Sequence, residues 1–181
     1  MYKDDWRKMK KYYLIILTVL FSTNSTARNV EPNLCQEKEH VYFSCATGEK
    51  IVSVCASKLS YPGYWYLTYR FGSLNNKTEL EYTSTAKDFN DKFKFSYSGY
   101  SKGSTKELSF NISSYTYTLH EDRHVYRDDS AGVYVAKNGE IKKYFACNNS
   151  RVDDGSLYSL YDLKKEGFPV SKPSGIGTKA P

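Results

Sequence analysis

The chain has 181 residues, a formal net charge of +6, and hydrophobic and aromatic fractions of 40% and 16%. This length fits one ordinary domain with short additional segments. From residue 28 onward, lysine and arginine are scattered between acidic residues and do not form a cluster. This scatter argues against nucleic-acid binding, which usually requires a clustered basic face.

Residues 1–27 have the layout of a secretory signal peptide. A basic patch at 8–11 leads into the apolar run YYLIILTVLF at 12–21, and small residues at 25–27 mark a cleavage site. The apolar run is about half of the ~20 residues that span a bilayer, so a membrane anchor is the less favoured alternative. Met9 is an alternative start of translation. We expect residues 1–27 to be removed on export.

Export changes the charge of the part that folds. The predicted leader holds five basic and two acidic residues, and its removal leaves 154 residues with 21 basic and 18 acidic side chains, a net charge of +3. All four cysteines lie in the exported part, and an even count there indicates two disulfide bonds. We expect the mature protein in the periplasm or outside the cell, not attached to the membrane.

Most of the mature chain reads as short strands. Runs rich in Tyr, Phe, Thr and Val alternate with turn residues, and the clearest turn is the hairpin signal Asn138-Gly139. The predicted strands are 41–45, 51–57, 64–71, 78–84, 93–97, 107–112, 115–120, 132–137 and 140–147. The pattern predicts an all-β fold, a disulfide-stapled antiparallel barrel or closed sandwich of about eight to nine short strands.

Alternation with a period of two sorts these strands into an inward and an outward face. In the third strand, the large apolar side chains share one face, which we assign to the core: Trp65, Leu67, Tyr69 and Phe71. The same reasoning places further residues inside: Leu80, Tyr82, Leu108, Phe110, Val133 and Val135.

Four cysteines allow three pairings, and the first predicted hairpin favours one of them. In the register set by its glycine turn, Cys55 lies opposite Tyr42 near the start of the first strand, whereas Cys45 lies at the far end. Cys35 precedes that start by a few residues and can reach Cys55. Cys45 then pairs with Cys147, which ties the first strand to the last and closes a loop of about 100 residues.

The pattern changes after the last predicted strand, so we place the β domain at 28–149. Asp153 and its polar neighbours mark a helix start, apolar residues recur at helical spacing, and Gly167 ends the run. These signals predict one short C-terminal helix within 150–168, packed on the β domain. Residues 169–181 are rich in Pro and Gly and are predicted to be a flexible tail.

The segment LHEDRH contains the H-E-x-x-H pattern of zinc peptidases in His120, Glu121 and His124. That pattern works on a helix, where residues four apart share a face and both imidazoles reach one ion. Here the preceding residues 114–118 alternate Tyr and Thr as a strand does, and a strand carries residues four apart over ~13 Å. We therefore interpret the segment as a solvated connection between strands and predict no catalytic, metal or cofactor site.

Strand and turn motifs carry a resemblance to a known group: FSC at 43–45, Gly48, VSVCAS at 52–57, YRFG at 69–72, ELEY at 79–82, GVYV at 132–135, Asn138-Gly139, Cys147 and EGFP at 166–169. In these residues the chain resembles a group of small exported proteobacterial proteins of unknown function. The resemblance spans most of the mature chain and implies no activity.

A more distant resemblance is to the small periplasmic lysozyme inhibitors, which are exported, disulfide-tied antiparallel barrels. It rests on the strand at 42–45 leading into a glycine turn, while their Ser-Gly-x-x-Tyr motif has only a loose counterpart at 130–134. An inhibitor of a strongly basic lysozyme should be acidic, whereas the mature chain is basic.

The sequence thus favours an exported, non-catalytic binding protein without a cofactor, whose partner is an envelope protein or a cell-wall glycan. An inhibitor or immunity-type role against a wall-degrading enzyme is the favoured version. The alternatives are a glycan- or peptidoglycan-binding envelope protein and, last, a zinc-dependent hydrolase using HEDRH. Exposed tyrosines provide contact area at little entropic cost, and the candidate surface comprises Tyr61, Tyr64, Tyr66, Tyr97 and Tyr100.

Overall fold

The computed structural model describes residues 32–57, 65–73, 75 and 77–148. These residues contain nine strands and one short helix. In chain order they are β1 (Glu39–Thr47), β2 (Lys50–Ser57), β3 (Tyr66–Ser73), β4 (Thr78–Thr85), α1 (Phe89–Lys92), β5 (Phe93–Tyr100), β6 (Gly103–Ile112), β7 (Tyr115–His124), β8 (Ser130–Lys137) and β9 (Glu140–Ala146).

The strands form two antiparallel sheets packed as a sandwich. A four-stranded sheet has the order β1-β2-β3-β4 and a five-stranded sheet has the order β5-β6-β7-β8-β9. Of the two architectures predicted, the sandwich is therefore observed and the closed barrel is not. The ladder is interrupted between β4 and β5, where α1 forms and places Phe89 in the core.

The core lies between the sheets and is dominated by aromatic rings. Tyr69 of β3 contacts Phe110 of β6 with ring centroids 4.7 Å apart, and Tyr82 of β4 meets Phe93 of β5 at 5.4 Å. All the residues that alternation assigned to the inside belong to this core or pack against it. Burial of this apolar surface is the main force that holds the two sheets together.

The first and last hairpins follow the predicted turns, with one shift in register. Asn138 and Gly139 have φ of 51° and 82°, the left-handed values that a two-residue hairpin turn requires. In the first hairpin a β-bulge at Tyr42 places Cys55 opposite Val41. The predicted partner, Tyr42, was therefore wrong by one residue, because a bulge adds an unpaired residue to one strand.

Both disulfides join the cysteines that the register predicts. Cys35 is bonded to Cys55, and Cys45 is bonded to Cys147, across 102 residues. Beside the second bond, the Asn148 amide donates to the Ala46 carbonyl at 2.7 Å. The end of the five-stranded sheet is thus fastened to the end of β1, although β1 and β9 do not pair.

Residues 32–38, the cover segment, cross the outer face of the four-stranded sheet. The Leu34 amide donates to Ser53 Oγ at 3.0 Å, and Ser44 Oγ donates to the Pro32 carbonyl at 2.9 Å. The hydroxyls of Ser44 and Ser53 are themselves 3.0 Å apart. Outward-facing polar side chains of β1 and β2 are therefore buried and satisfied by backbone groups of the cover segment.

Arg70 completes this buried polar layer. Its guanidinium makes a two-bonded pair with Glu39, at 2.5 and 3.0 Å, and donates to Glu81 at 2.7 Å and to the Leu34 carbonyl at 3.3 Å. Burial alone raises the pKa of Glu39, but hydrogen bonds from Arg70 and Gln36 outweigh it and hold the pKa below 4.5.

Several expectations fall outside the described residues: the signal peptide, the helix within 150–168 and the tail at 169–181. Among the residues described, no helix is long and apolar enough to cross a membrane.

Candidate functional site

The outer face of the five-stranded sheet, opposite the core, carries a groove of about 760 Å³. This volume lies within the range of small-molecule and cofactor sites. We call it the outer groove. Its lining residues are Tyr100, Thr105, Glu107, Thr116, Thr118, His120, Asp122, Arg127, Ser130, Tyr134, Ala136, Gly139, Ile141 and Tyr144.

Strand alternation explains why these side chains share one face. Successive residues of a strand point to opposite sides of the sheet. On β7, residues at even positions from Thr116 to Asp122 line the groove, while Leu119 and Glu121 between them are buried on the other side. On β9 a bulge leaves Lys142 without a cross-strand partner, and this brings Ile141 and Tyr144 onto the same face.

Three aromatic side chains form a cluster in the floor of the groove, which we call the ring cluster: His120, Tyr134 and Tyr144. Tyr134 and Tyr144 are stacked with centroids 4.5 Å apart, and His120 is stacked on Tyr134 at 4.8 Å. His120 Nε2 lies 2.9 Å from the Tyr144 hydroxyl, which donates to the Ala131 carbonyl at 3.3 Å. The hydroxyl has one proton, so in the tautomer with a proton on Nε2 it donates to Ala131 and accepts from His120.

Glycines opposite the two histidines make room for tyrosine rings. Gly132 pairs with His120 across β7 and β8, and a Cβ built on it would lie 2.6 Å from Tyr144 Cε2. Gly103 pairs with His124 across β6 and β7, and its Cβ would lie 2.8 Å from the Tyr100 hydroxyl. The hydroxyl end of each tyrosine ring therefore occupies space that a side chain at the glycine would fill.

At the other end of the groove, the Asp122 carboxylate accepts hydrogen bonds from three side chains. Its Oδ1 accepts from the Tyr100 hydroxyl at 2.9 Å and from Thr105 Oγ1 at 3.1 Å, and its Oδ2 accepts from Arg127. The carboxylate is thereby fixed in orientation, and it in turn fixes the position of the Tyr100 ring. Tyr100 is 42% exposed.

The groove carries little charge. Its ionised lining groups are Glu107, Asp122 and Arg127, with one net negative charge. Burial lowers the pKa of His120 below 6.5, so its imidazole is neutral at pH 7. Burial raises the pKa of Tyr134 and of Tyr144, and both hydroxyls stay protonated.

The structure corrects the interpretation of the HEDRH segment as a solvated connection. Strand β7 extends through His124, so all five residues lie within the sheet. His120 and Glu121 are 6% and 2% exposed. Polar residues of β7 lie opposite polar residues of β6 in the ladder. The strand therefore continues where the sequence suggested a loop.

The extended conformation of β7 separates the three residues of the zinc motif. Glu121 is turned away from the groove and pairs with Lys106 at 3.5 Å and with Arg123 at 2.6 Å. His124 Nδ1 accepts a hydrogen bond from the Tyr126 amide at 3.0 Å. Glu121 therefore faces away from the two histidines, and His120 and His124, although on one face, lie about 13 Å apart along the strand, so the three residues cannot bind one zinc ion as H-E-x-x-H does on a helix.

Among the residues described, one set of potential metal ligands does lie close together. Donor atoms of Cys35, Glu39 and Cys55 lie within 4.8 Å of one another. Since the two sulfurs are bonded to each other and the carboxylate pairs with Arg70, this set is part of the structural layer under the cover segment.

The tyrosines predicted as a binding surface do not form one surface. Tyr100 lines the outer groove, whereas Tyr97 packs against the core. Tyr66 lies half-buried on β3 in the other sheet, and Tyr61 and Tyr64 fall outside the described residues.

Sequence reasoning missed Tyr134 and Tyr144, the rings of the groove floor. The available signal was glycine inside a strand, which often marks close approach by another group; here Gly132 makes room for Tyr144.

Scans against protein-family models, curated proteins and solved structures each returned no match.

Proposed function

We propose that this protein is an exported, non-catalytic binding protein whose ligand lies in the outer groove. The observation that carries the proposal is the groove itself, a concave site with partly exposed tyrosine rings and fixed polar groups. Ligand sites typically combine such apolar surfaces with a few oriented polar groups.

The chemistry of the groove supports binding rather than catalysis. Asp122 is held by three donors, and His120 Nε2 is hydrogen-bonded to the Tyr144 hydroxyl. A general base needs access to the proton that it removes, and in this arrangement both groups orient tyrosines. The two disulfides indicate an oxidising, extracytoplasmic environment, and we place the protein in the periplasm or outside the cell.

A protein partner, as in an inhibitor or immunity role against a wall-degrading enzyme, is the second candidate. It is favoured by the β7–β8 loop, where Val125 and Tyr126 are 72% and 75% exposed. Lys102 Nζ lies 5.1 Å from the Tyr126 ring centroid. An exposed aromatic with a basic neighbour suits a cleft lined by carboxylates, such as that of a glycosidase.

Capture from an envelope extract tests where the ligand binds. The immobilised mature protein is compared with Thr118→Arg, which fills the groove, with Tyr126→Ala in the loop, and with Thr78→Arg on the other sheet as a matched control. We expect the groove variant alone to lose the captured material. Loss only with Tyr126→Ala would replace the groove by the loop and favour the inhibitor role.

A further inference from the structure

Building on the proposed function, we propose that the outer groove binds an uncharged carbohydrate chain, with sugar rings stacked on Tyr100 and Tyr144. This assigns a ligand class to the site and a platform role to two tyrosines, one at the end of β5 and one on β9.

One face of the Tyr144 ring is stacked on Tyr134, so a sugar would stack on the opposite face, and Tyr100 would provide a second, separate surface. Tyr144 is 40% exposed and Tyr100 is 42% exposed, and each is held by a hydrogen bond from its hydroxyl, to Ala131 and to Asp122 respectively. One face of a pyranose ring consists of C–H groups and is apolar, so it stacks on an aromatic ring while its hydroxyls point outward. A ring that is already fixed loses little entropy when it binds.

Besides the two platforms, the lining of the groove presents hydroxyl groups. Thr105 Oγ1 donates to Asp122 at 3.1 Å, and Thr116 Oγ1 donates to Asn111 Oδ1 at 2.7 Å. A hydroxyl that already donates keeps lone pairs that accept from another hydroxyl. Sugar hydroxyls both donate and accept, so they can use this accepting capacity.

Charge narrows the ligand class further. With one net negative charge among Glu107, Asp122 and Arg127, the lining of the groove gives polyanions such as nucleic acids and sulfated glycans no net electrostatic attraction. Arg127 is paired with Asp122, which leaves no cluster of cations to hold an anionic ligand. An uncharged chain meets neither repulsion nor an unpaired buried charge.

The size of the groove suits a chain better than a single sugar. Its lining residues come from all five strands, β5 to β9, and four interstrand spacings amount to about 19 Å. A peptide is a poorer fit, because extended peptides bind sheets along a free edge through backbone hydrogen bonds. The floor of this groove is a sheet face made of side chains.

Titration with defined oligosaccharides tests the inference. Short oligomers of glucose and of N-acetylglucosamine are added to the mature protein, with heparin as a polyanion, and binding is followed by calorimetry and by amide chemical shifts. We expect saturable binding of at least one uncharged oligomer and no binding of heparin in the groove. Tyr144→Ala should weaken that binding about tenfold or more, as expected for a central aromatic contact.

Two variants separate loss of the platform from loss of the fold. Tyr144→Phe keeps the ring without its hydroxyl and should retain most of the affinity. Tyr115→Ala removes a similarly exposed tyrosine of β7 that does not line the groove, and it should bind as the parent does. Thermal unfolding of each variant verifies that it is folded.

The outcomes distinguish this inference from the proposed function. If no oligosaccharide binds, while Thr118→Arg still abolishes capture of an envelope protein, the groove remains the site and the carbohydrate inference is overturned. If an oligosaccharide binds equally well to folded Tyr144→Ala, the platform is refuted. Shifts confined to the groove residues, lost with Tyr144→Ala, would support it.

Discussion

The outer faces of the two sheets carry similar polar side chains, but one is covered and the other is accessible. On the four-stranded sheet, Ser44, Ser53 and Arg70 are 5% exposed or less because the cover segment crosses them. On the five-stranded sheet, the corresponding layer lines the outer groove. A covered polar face must satisfy every group internally, whereas an accessible one can keep hydrogen-bonding capacity for a ligand.

The largest effect is expected from removing Arg70, which holds the covered polar layer together. We expect Arg70→Leu to lower the free energy of unfolding by about 3–5 kcal/mol, because it leaves Glu39 buried without its ionic partner. The matched control is Arg127→Leu on the accessible face, where the arginine is exposed, and its effect should stay below about 1 kcal/mol. Urea unfolding measures both, and equal losses would contradict the contrast between the faces.

Removing the Cys35–Cys55 bond should loosen the cover segment. The bond closes a sequence separation of 20 residues, and we expect replacement of both cysteines by alanine to lower the free energy of unfolding by about 3 kcal/mol. Hydrogen exchange of the Leu34 amide, which donates to Ser53, should accelerate. Replacing the Cys45–Cys147 pair should leave that amide protected under native conditions; similar acceleration in both variants would show that the cover segment is not held by its own bond.

A glycine substitution tests the close packing on the accessible face. In Gly132→Ala the new Cβ meets Tyr144 and, at 2.5 Å, the Phe145 carbonyl, so we expect a loss of about 1–3 kcal/mol in unfolding free energy together with weaker ligand binding. Gly99→Ala is the control, since the three atoms nearest its Cβ would all belong to the Tyr97 side chain, the nearest being the hydroxyl oxygen at 3.0 Å. A harmless Gly132→Ala would refute the close approach of Tyr144.

The smallest expected effect is a difference in acid sensitivity. The folded-state pKa of His120 is below its ordinary 6.5, so the unfolded chain takes up a proton first and stability falls as pH drops below 6.5. The folded-state pKa of Glu39 is below 4.5, so its contribution is complete above 4.5 and is lost at lower pH.

Unfolding across this pH range therefore separates the two faces. His120→Gln should remove only the loss that begins near 6.5, because glutamine can still donate to the Tyr144 hydroxyl and does not titrate. A pH profile unchanged by His120→Gln would contradict the assignment.

Much of the sandwich follows from period-two patterning, because a one-residue shift would turn a whole set of large side chains outward. Trp65, Leu67 and Tyr69 illustrate this, since each is 3% exposed or less. The pairing of Cys45 with Cys147 follows from the hairpin register in the same way. The division into two sheets does not, because it depends on the short helix α1 and on contacts between distant strands.

The outer groove escaped prediction for a related reason. Outward-facing residues such as Thr118 and Tyr134 look like ordinary solvated positions in the sequence. Whether a second layer covers them depends on distant segments, and a local pattern contains no such information. The burial of Glu121 could not be predicted from the local pattern either, because its partner Lys106 lies on another strand.

The bond between Cys45 and Cys147 spans 102 residues and encloses β2 to β9 in one covalent ring. If the chain is exported from its N-terminus, as we propose, Cys45 emerges early and Cys147 late. Until then Cys45 is a thiol beside two nearer cysteines, Cys35 and Cys55, with which a short loop closes at lower entropic cost. A first bond between Cys35 and Cys55 leaves Cys147 as the remaining partner of Cys45, so correct pairing depends on Cys45 staying reduced until the last strand has emerged.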